Sequence, residues 1–264
     1  MLNQRTPTTI SGIKSLATAI RRERGIPHHQ ALDEAARRAG SENWTHARRS
    51  ISVAAPLPAH WCEVVVHWHD RQTRTAGAEH LRLPITRPLS ELVVQERILR
   101  AAYLGGFAKE GTEWLVDRSM RVPSKDGATW QALRAARTLQ FMEATGLRPS
   151  TSRLRFHPKG RWDLRVPGYD HGTKWFNPHD RTYVLVDEPY GERDSDPERA
   201  KWAAQHRRQI IRPSWGGMHN PDGGTVAYLI VEAGVDLTGV CKAVASLEAA
   251  QAKWMSSSTI FRAW

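Results

Sequence analysis

Residues 168–194 read GYDHGTKWFNPHDRTYVLVDEPYGERD, the densest mixture of carboxylates, imidazoles and aromatic rings in the chain. Asp170-His171 lies between glycines, and Asp187-Glu188 ends an apolar run. A carboxylate beside an imidazole orients the ring and stabilises its charged form, which is what general acid–base catalysis requires. Asp170, His171, Asp187 and Glu188 are therefore the catalytic candidates. The same stretch offers Tyr169, Trp175 and Tyr190 as rings for stacking on a base, with Lys174 and Arg181 as cations for phosphate. The plainer account of DEPY is a strand end followed by an acidic helix start. If the chemistry is real, His171 must lie near Asp187 or Glu188 and open onto a cleft.

A second set of candidates is basic. Lys14, Arg21, Arg22, Arg24, Arg37, Arg38, Arg48 and Arg49 fall on the polar faces of short amphipathic segments, and Arg153 and Arg155 lie in a later stretch of strand-like pattern. Clustered cations on helices fit phosphate contact, as in helix-turn-helix modules, and equally fit a solvated dock for a protein partner. Residues 1–52 hold nine Lys and Arg against four Asp and Glu, a balance of +5. Residues 151–181 hold seven against three, a balance of +4, whereas 182–200 is acidic, with six Asp and Glu against two Arg.

His67, His69 and His80 are a weak metal candidate: residues two apart on a strand share a face, and a neighbouring strand brings His80 alongside. Solvated surface histidines are the simpler account, so no metal and no cofactor is expected. The glycine-rich WGGMHNPDGG, residues 215–224, has no phosphate-loop spacing and reads as a long hairpin loop whose backbone N–H groups are able to approach an anion. Cys62 and Cys241 form no CxxC or disulfide framework.

The elements that must position these residues follow from periodicity. Ile13, Leu16, Ala17 and Ile20 make one helix ended by Gly25, and Pro27 opens a second with Ala31, Leu32, Ala35, Ala36 and Ala39 inward. A third, shorter helix runs from Asn43 to Ile51. The head is thus a three-helix unit over 1–52, followed by a Pro-containing linker at 53–60 and a body at 61–264. In the body, alternation predicts strands at Trp61–His69 and His80–Ile85, and helical spacing predicts helices over Pro88–Leu104 and Asp126–Thr145. Strands are expected at Arg153–His157, Trp162–Val166, Lys174–Asn177 and Thr182–Val186, then a helix from Asp196 to about Arg208. Short strands at Ile210–Arg212 and Thr225–Glu232 and a helix from Thr238 to Trp254 complete it. Strands and helices in alternating groups indicate an α+β fold with mainly antiparallel sheet.

Composition sets the outer limits. With 264 residues, 40% hydrophobic, 11 Trp and a net charge of +11, the chain is too apolar for a disordered basic tail and basic enough to attract polyanions. No apolar run is long enough for a signal sequence or a membrane span, so the expectation is a cytoplasmic, non-membrane protein.

Several blocks resemble an uncharacterised bacterial family carried on integrative conjugative elements and plasmids: GIKSLATAIRRERGIPHHQALDEAARRAGSENWTHARR, RTLQFMEATGLRPS, VPGYDHGTKWF, LVDEPYGERD and PSWGGMHNPDGGTVAYLIVE. The head is similar to a helical module shared with glyoxalase-like mobile-element proteins. The resemblance implies a mobile-element setting and no catalytic residues. The leading expectation is a non-enzymatic accessory protein that binds DNA or RNA through its head. The alternatives are an enzyme acting on nucleic acid or nucleotide through Asp170, His171, Asp187 and Glu188, and an interaction protein that regulates a host nucleic-acid-binding complex, docking through the head or the acidic run.

Overall fold

The computed structural model describes residues 10–47, 60–94, 101, 103–119, 122–150, 152 and 155–257. The chain divides into two compact units, residues 1–58 and 59–264.

In the first unit, α1 (Ile10–Arg24) and α2 (His28–Arg38) pack through residues spaced three and four apart. Ile13, Ala17 and Ile20 meet Ala31, Ala35, Ala36 and Ala47, all buried. Gly25 ends α1 at φ +65, in the left-handed region where a Cβ is costly, and its N–H reaches the Arg21 carbonyl at 3.0 Å. Residues 44–47 add one helical turn, so two helices and a turn are described; the rest of the expected third helix lies outside the described residues.

The second unit is α+β. Alternation from Trp61 folds as β1 (His60–Asp70), paired antiparallel with β2 (Thr75–Ile85) in the register Cys62 to Leu83, Val64 to Leu81. These residues are fully buried, as period two demands of the inward face. β3 (Phe107–Glu110) and β4 (Trp114–Asp117) complete a sheet of order β2-β1-β4-β3, with β4 parallel to β1. Of the helix expected over Pro88–Leu104, the described residues hold the single turn α3 (Leu89–Leu92), after which Val93 is extended at φ −118, ψ 109; residues 95–100 lie outside the described residues, and residues 103–106 turn into β3. The β-branched Val93-Val94 pair favours the extended backbone that ends this turn.

The long helix α4 (Lys125–Thr145) starts where Ser124 Oγ accepts the Gly127 N–H at 3.1 Å and stops at Gly146, φ +69. Ala128, Ala132, Ala135 and Leu139 pack into a core shared with β1 and β2, while Phe141 meets Trp175 of the second sheet at 4.8 Å. Apolar contact on opposite sides explains the low amphipathicity of this helix. That second sheet has the order β5-β6-β7-β9-β8, built from β5 (Arg148–Pro149), β6 (Thr173–Phe176), β7 (Tyr183–Asp187), β8 (Arg208–Ile211) and β9 (Tyr228–Glu232), all antiparallel. Its far face carries a separate core of Phe156, Val166, Leu185, Trp202 and Ile230 beneath α5 (Pro197–Gln205), whose N-cap is Asp196. The last helix, α6 (Thr238–Ser257), lies against α4.

Two expected strands, Arg153–His157 and Trp162–Val166, are not found among the described residues. Residues 155–157 are bends, and Trp162–Leu164 is a 3-10 turn after another at Pro158–Gly160. Pro158 removes a ladder donor and Lys159 and Gly160 both take positive φ, so this segment cannot extend. No described helix is long and apolar enough to cross a membrane.

Candidate functional site

Antiparallel pairing of Thr173 with Val186 brings the start of β6 beside the end of β7. The Asp170-His171 turn and the Asp187-Glu188 pair, seventeen residues apart in the chain, therefore meet at one end of the second sheet. The Glu188 N–H reaches the Asp170 carbonyl at 3.0 Å, and the Asp187 carboxylate accepts the Asp170 N–H at 2.8 Å.

The two acids at the end of β7, Asp187 and the following Glu188, then do different work. Asp187 is fully buried and ion-paired with buried Arg199 at 2.8 Å; burial raises its pKa, against the pull of those hydrogen bonds. Buried and paired in this way, it holds the Asp170 turn. Glu188 is also fully buried, and its Oε2 accepts the Met218 and His219 N–H groups at 2.7 and 2.6 Å. The glycine-rich loop does receive an anion on its backbone, and that anion is internal. Gly217, φ +86, leaves space for it: a Cβ there would stand 2.3 Å from Glu188 Oε2. Burial pushes Glu188 up to about 7 in spite of the two amides.

Glu188 thereby presents His219, and His219 completes the site. Its ring stacks on that of His171 with centroids 3.4 Å apart and planes within 10°. Arg134 of α4 reaches His219 Nδ1 at 3.0 Å and the His219 carbonyl at 2.5 Å, and Tyr103 Oη is 3.1 Å from the same Nδ1. A guanidinium only donates, and Arg134 faces both Nδ1 and, at 3.3 Å, Nε2, so His219 meets it as a neutral ring; Tyr190 Oη lies 3.4 Å from Nε2. Burial, then Arg134 and His171, push His219 down to about 4, in agreement with a neutral ring. Arg134 lies 3.6 Å from the Trp130 ring centre, a cation–π contact that fixes the guanidinium.

His171 is the reachable member, with 31% of its side chain exposed, and Asp170 Oδ2 lies 3.3 Å from its Nε2. Its backbone takes φ +48, which costs a non-glycine residue on the order of 1 kcal/mol or more. Such strain concentrates where a side chain must be aimed. Tyr103 and Arg134 continue into a cleft of about 340 Å³ that is also lined by Gly105, Gly106, Phe107 and Gln131. The arrangement holds a carboxylate–imidazole pair for moving a proton beside a cation and two phenols suited to an anionic group.

The other expected contacts separate. Tyr190 stands at the site, half exposed, but Trp175 is 1% exposed against Phe141 and cannot meet a base. Tyr169 is partly buried beneath the Asp170 turn, where Gly172 makes room for its hydroxyl. Lys174 lies on β6 near the Phe156 and Trp162 rings, Arg155 lies over Tyr183, and Arg181 sits in the β6–β7 turn at the opposite end of the hairpin from His171. In the head, Glu34 lies within 3.3–3.7 Å of Arg24, Arg37 and Arg38, so three of the expected phosphate contacts already share one carboxylate. Arg21 and Arg22 have no carboxylate partner among the described residues, and Lys14 lies 6.0 Å from the Trp44 ring centre. Arg48, Arg49 and Arg153 lie outside the described residues.

The three histidines of the first sheet do not converge. His80 Nδ1 pairs with Glu63 at 3.2 Å and its ring packs edge-on against Trp114, while His67 and His69 lie opposite Ala78 and Ala76. No group of three metal-ligating side chains occurs among the described residues. No protein-family model, curated protein or solved structure matches this chain.

Proposed function

We propose that the body carries an acid–base site for a phosphate ester of a nucleic acid or nucleotide, and that the basic head contributes phosphate contacts. The observation that carries this reading is the Asp170–His171 pair stacked on a neutral, Arg134-anchored His219. In the proposed step His171, oriented by Asp170, takes a proton from water as its oxygen bonds to phosphorus. The ester P–O bond breaks, and the leaving oxygen recovers the proton from His171. Arg134 and the Tyr103 and Tyr190 hydroxyls balance charge on the phosphoryl oxygens. The resemblance to conjugative-element and plasmid proteins supports a mobile-element setting for this activity.

A second reading, binding without turnover, is favoured by the bonding of His219: Arg134 and both tyrosines are already directed at its ring. One experiment separates the two. The purified chain is incubated with end-labelled single-stranded and duplex DNA and RNA and with bis(4-nitrophenyl) phosphate. Turnover is expected, falling about 10²–10⁴-fold in His171→Ala, the range for loss of a general base. Salt-sensitive binding with no cleavage of any substrate establishes the binding reading. Neither binding nor cleavage overturns both.

A further inference from the structure

Trp162 is 52% exposed, although burying so large an apolar ring would stabilise the fold. It is also held in place. The 3-10 turn Trp162–Leu164 sets its backbone, and it packs edge-to-face with His157 at 4.9 Å and with Tyr169 at 5.3 Å. His157 is 3% exposed, and neither ring nitrogen has a hydrogen-bond partner among the described residues. Burial, then Lys174 and Arg165, push His157 down to about 4, so it braces Trp162 as a neutral ring.

Cations surround this ring. The Arg165 guanidinium lies 5.1 Å from the Trp162 centre and the Lys174 ammonium 6.0 Å, while Arg155 stands over nearby Tyr183. The carboxylate next to Trp162, Asp163, is engaged by Arg161 at 3.0 Å. A rigid, half-exposed indole within a cationic rim matches a polynucleotide whose bases are free to stack and whose phosphates lie within reach of Arg and Lys. A duplex keeps its bases stacked inside and offers the indole nothing. Tyr169, which touches Trp162, immediately precedes Asp170 and His171, so a strand laid on this platform leads toward the acid–base site.

We infer that Trp162, with Arg165, Lys174 and Arg155, is a stacking platform for single-stranded nucleic acid. The inference rests on the nucleic-acid class of ligand proposed above and not on turnover. The test is fluorescence anisotropy with labelled dT12, rU12 and a 12-base-pair duplex across a salt series, using the whole chain, Trp162→Ala, Trp162→Phe and Arg165→Ala. Trp162→Ala should weaken dT12 or rU12 about tenfold and leave the duplex unchanged, and Trp162→Phe should retain most of the affinity. Arg165→Ala should reduce the salt slope by about 0.7. The dT12 and rU12 arms distinguish DNA from RNA.

Hydrolysis of bis(4-nitrophenyl) phosphate is followed in parallel, because so small an ester has no strand to lay on Trp162. Lost strand affinity in Trp162→Ala supports the platform whether or not any variant turns over ester. Wild-type affinity in Trp162→Ala, or no salt-dependent single-strand binding by the unaltered chain, overturns it even if His171→Ala abolishes hydrolysis. Circular dichroism confirms that each variant is folded; if Trp162→Ala is not, Arg165→Ala carries the comparison, and an unchanged salt slope in it overturns the platform.

Discussion

Glu188 and His219 touch, yet their burial has opposite consequences for stability. The carboxyl of Glu188 is raised to about 7 from an ordinary 4.5, so between those pH values the folded state holds the extra proton and stability falls as pH rises. His219 is lowered to about 4 from 6.5, so the unfolded state holds the extra proton and stability rises between about 4 and 6.5. His157 acts in the same direction as His219. Glu188→Gln keeps an oxygen for the two amides and removes the falling contribution, so its melting temperature should climb more steeply than wild type between pH 4.5 and 6.5. Parallel curves for the two proteins in a thermal-melt series would refute this. At Asp187, removing one member of the buried pair with Arg199 strands the other, and Asp187→Ala should cost about 3–5 kcal/mol in denaturant unfolding. Doublets such as DH and DE announce chemistry in the sequence, but which carboxylate is structural depended on Arg199, twelve residues further on.

At the scale of elements, α4 ties the site to both sheets. Phe141 stacks on Trp215 at 5.0 Å and 10° and meets Trp175 edge-on, while one turn and more toward the N-terminus Arg137 and Arg134 hold the carbonyls of Gly217 and His219. Phe141→Ala should therefore cost about 3–5 kcal/mol, read by chemical denaturation. Gly217→Ala meets both a positive φ and the Glu188 carboxylate, so it should lower stability and displace His219, with greater loss of ligand affinity than of secondary structure measured by circular dichroism. The β1–β2 and β6–β7 hairpins, α4 and α5 were legible because each repeats an apolar pattern and carries its own cap or turn. β3 and β4 were missed: each is four residues long, too short for period two to declare itself, and β4 depends on a parallel partner some fifty residues earlier. Residues 155–157 and 162–164 were misread as strand because aromatic and β-branched residues favour strands until backbone constraints override them.

For the whole molecule, a charge of +11 describes the attraction poorly without its pairings. Glu34 screens Arg24, Arg37 and Arg38, leaving Arg21 and Arg22 as the more available cations of the first unit. Replacing both by Ala should reduce the slope of log affinity against log salt by about 1.5, while replacing Arg37 and Arg38 should change it less, as read by nucleic-acid binding over a salt series. The sequence alone determined the α+β class, the basic first segment and the choice of Asp170 and His171 as candidates, because composition, periodicity and adjacent polar residues are properties of neighbours along the chain. Tertiary structure decided that His219 stacks on His171, that Arg134 and Tyr103 face them, that Asp187 is withdrawn and that Trp162 is left half in solvent. Those facts follow from packing between segments tens of residues apart, and no local spacing encodes which side chains a fold brings within 4 Å.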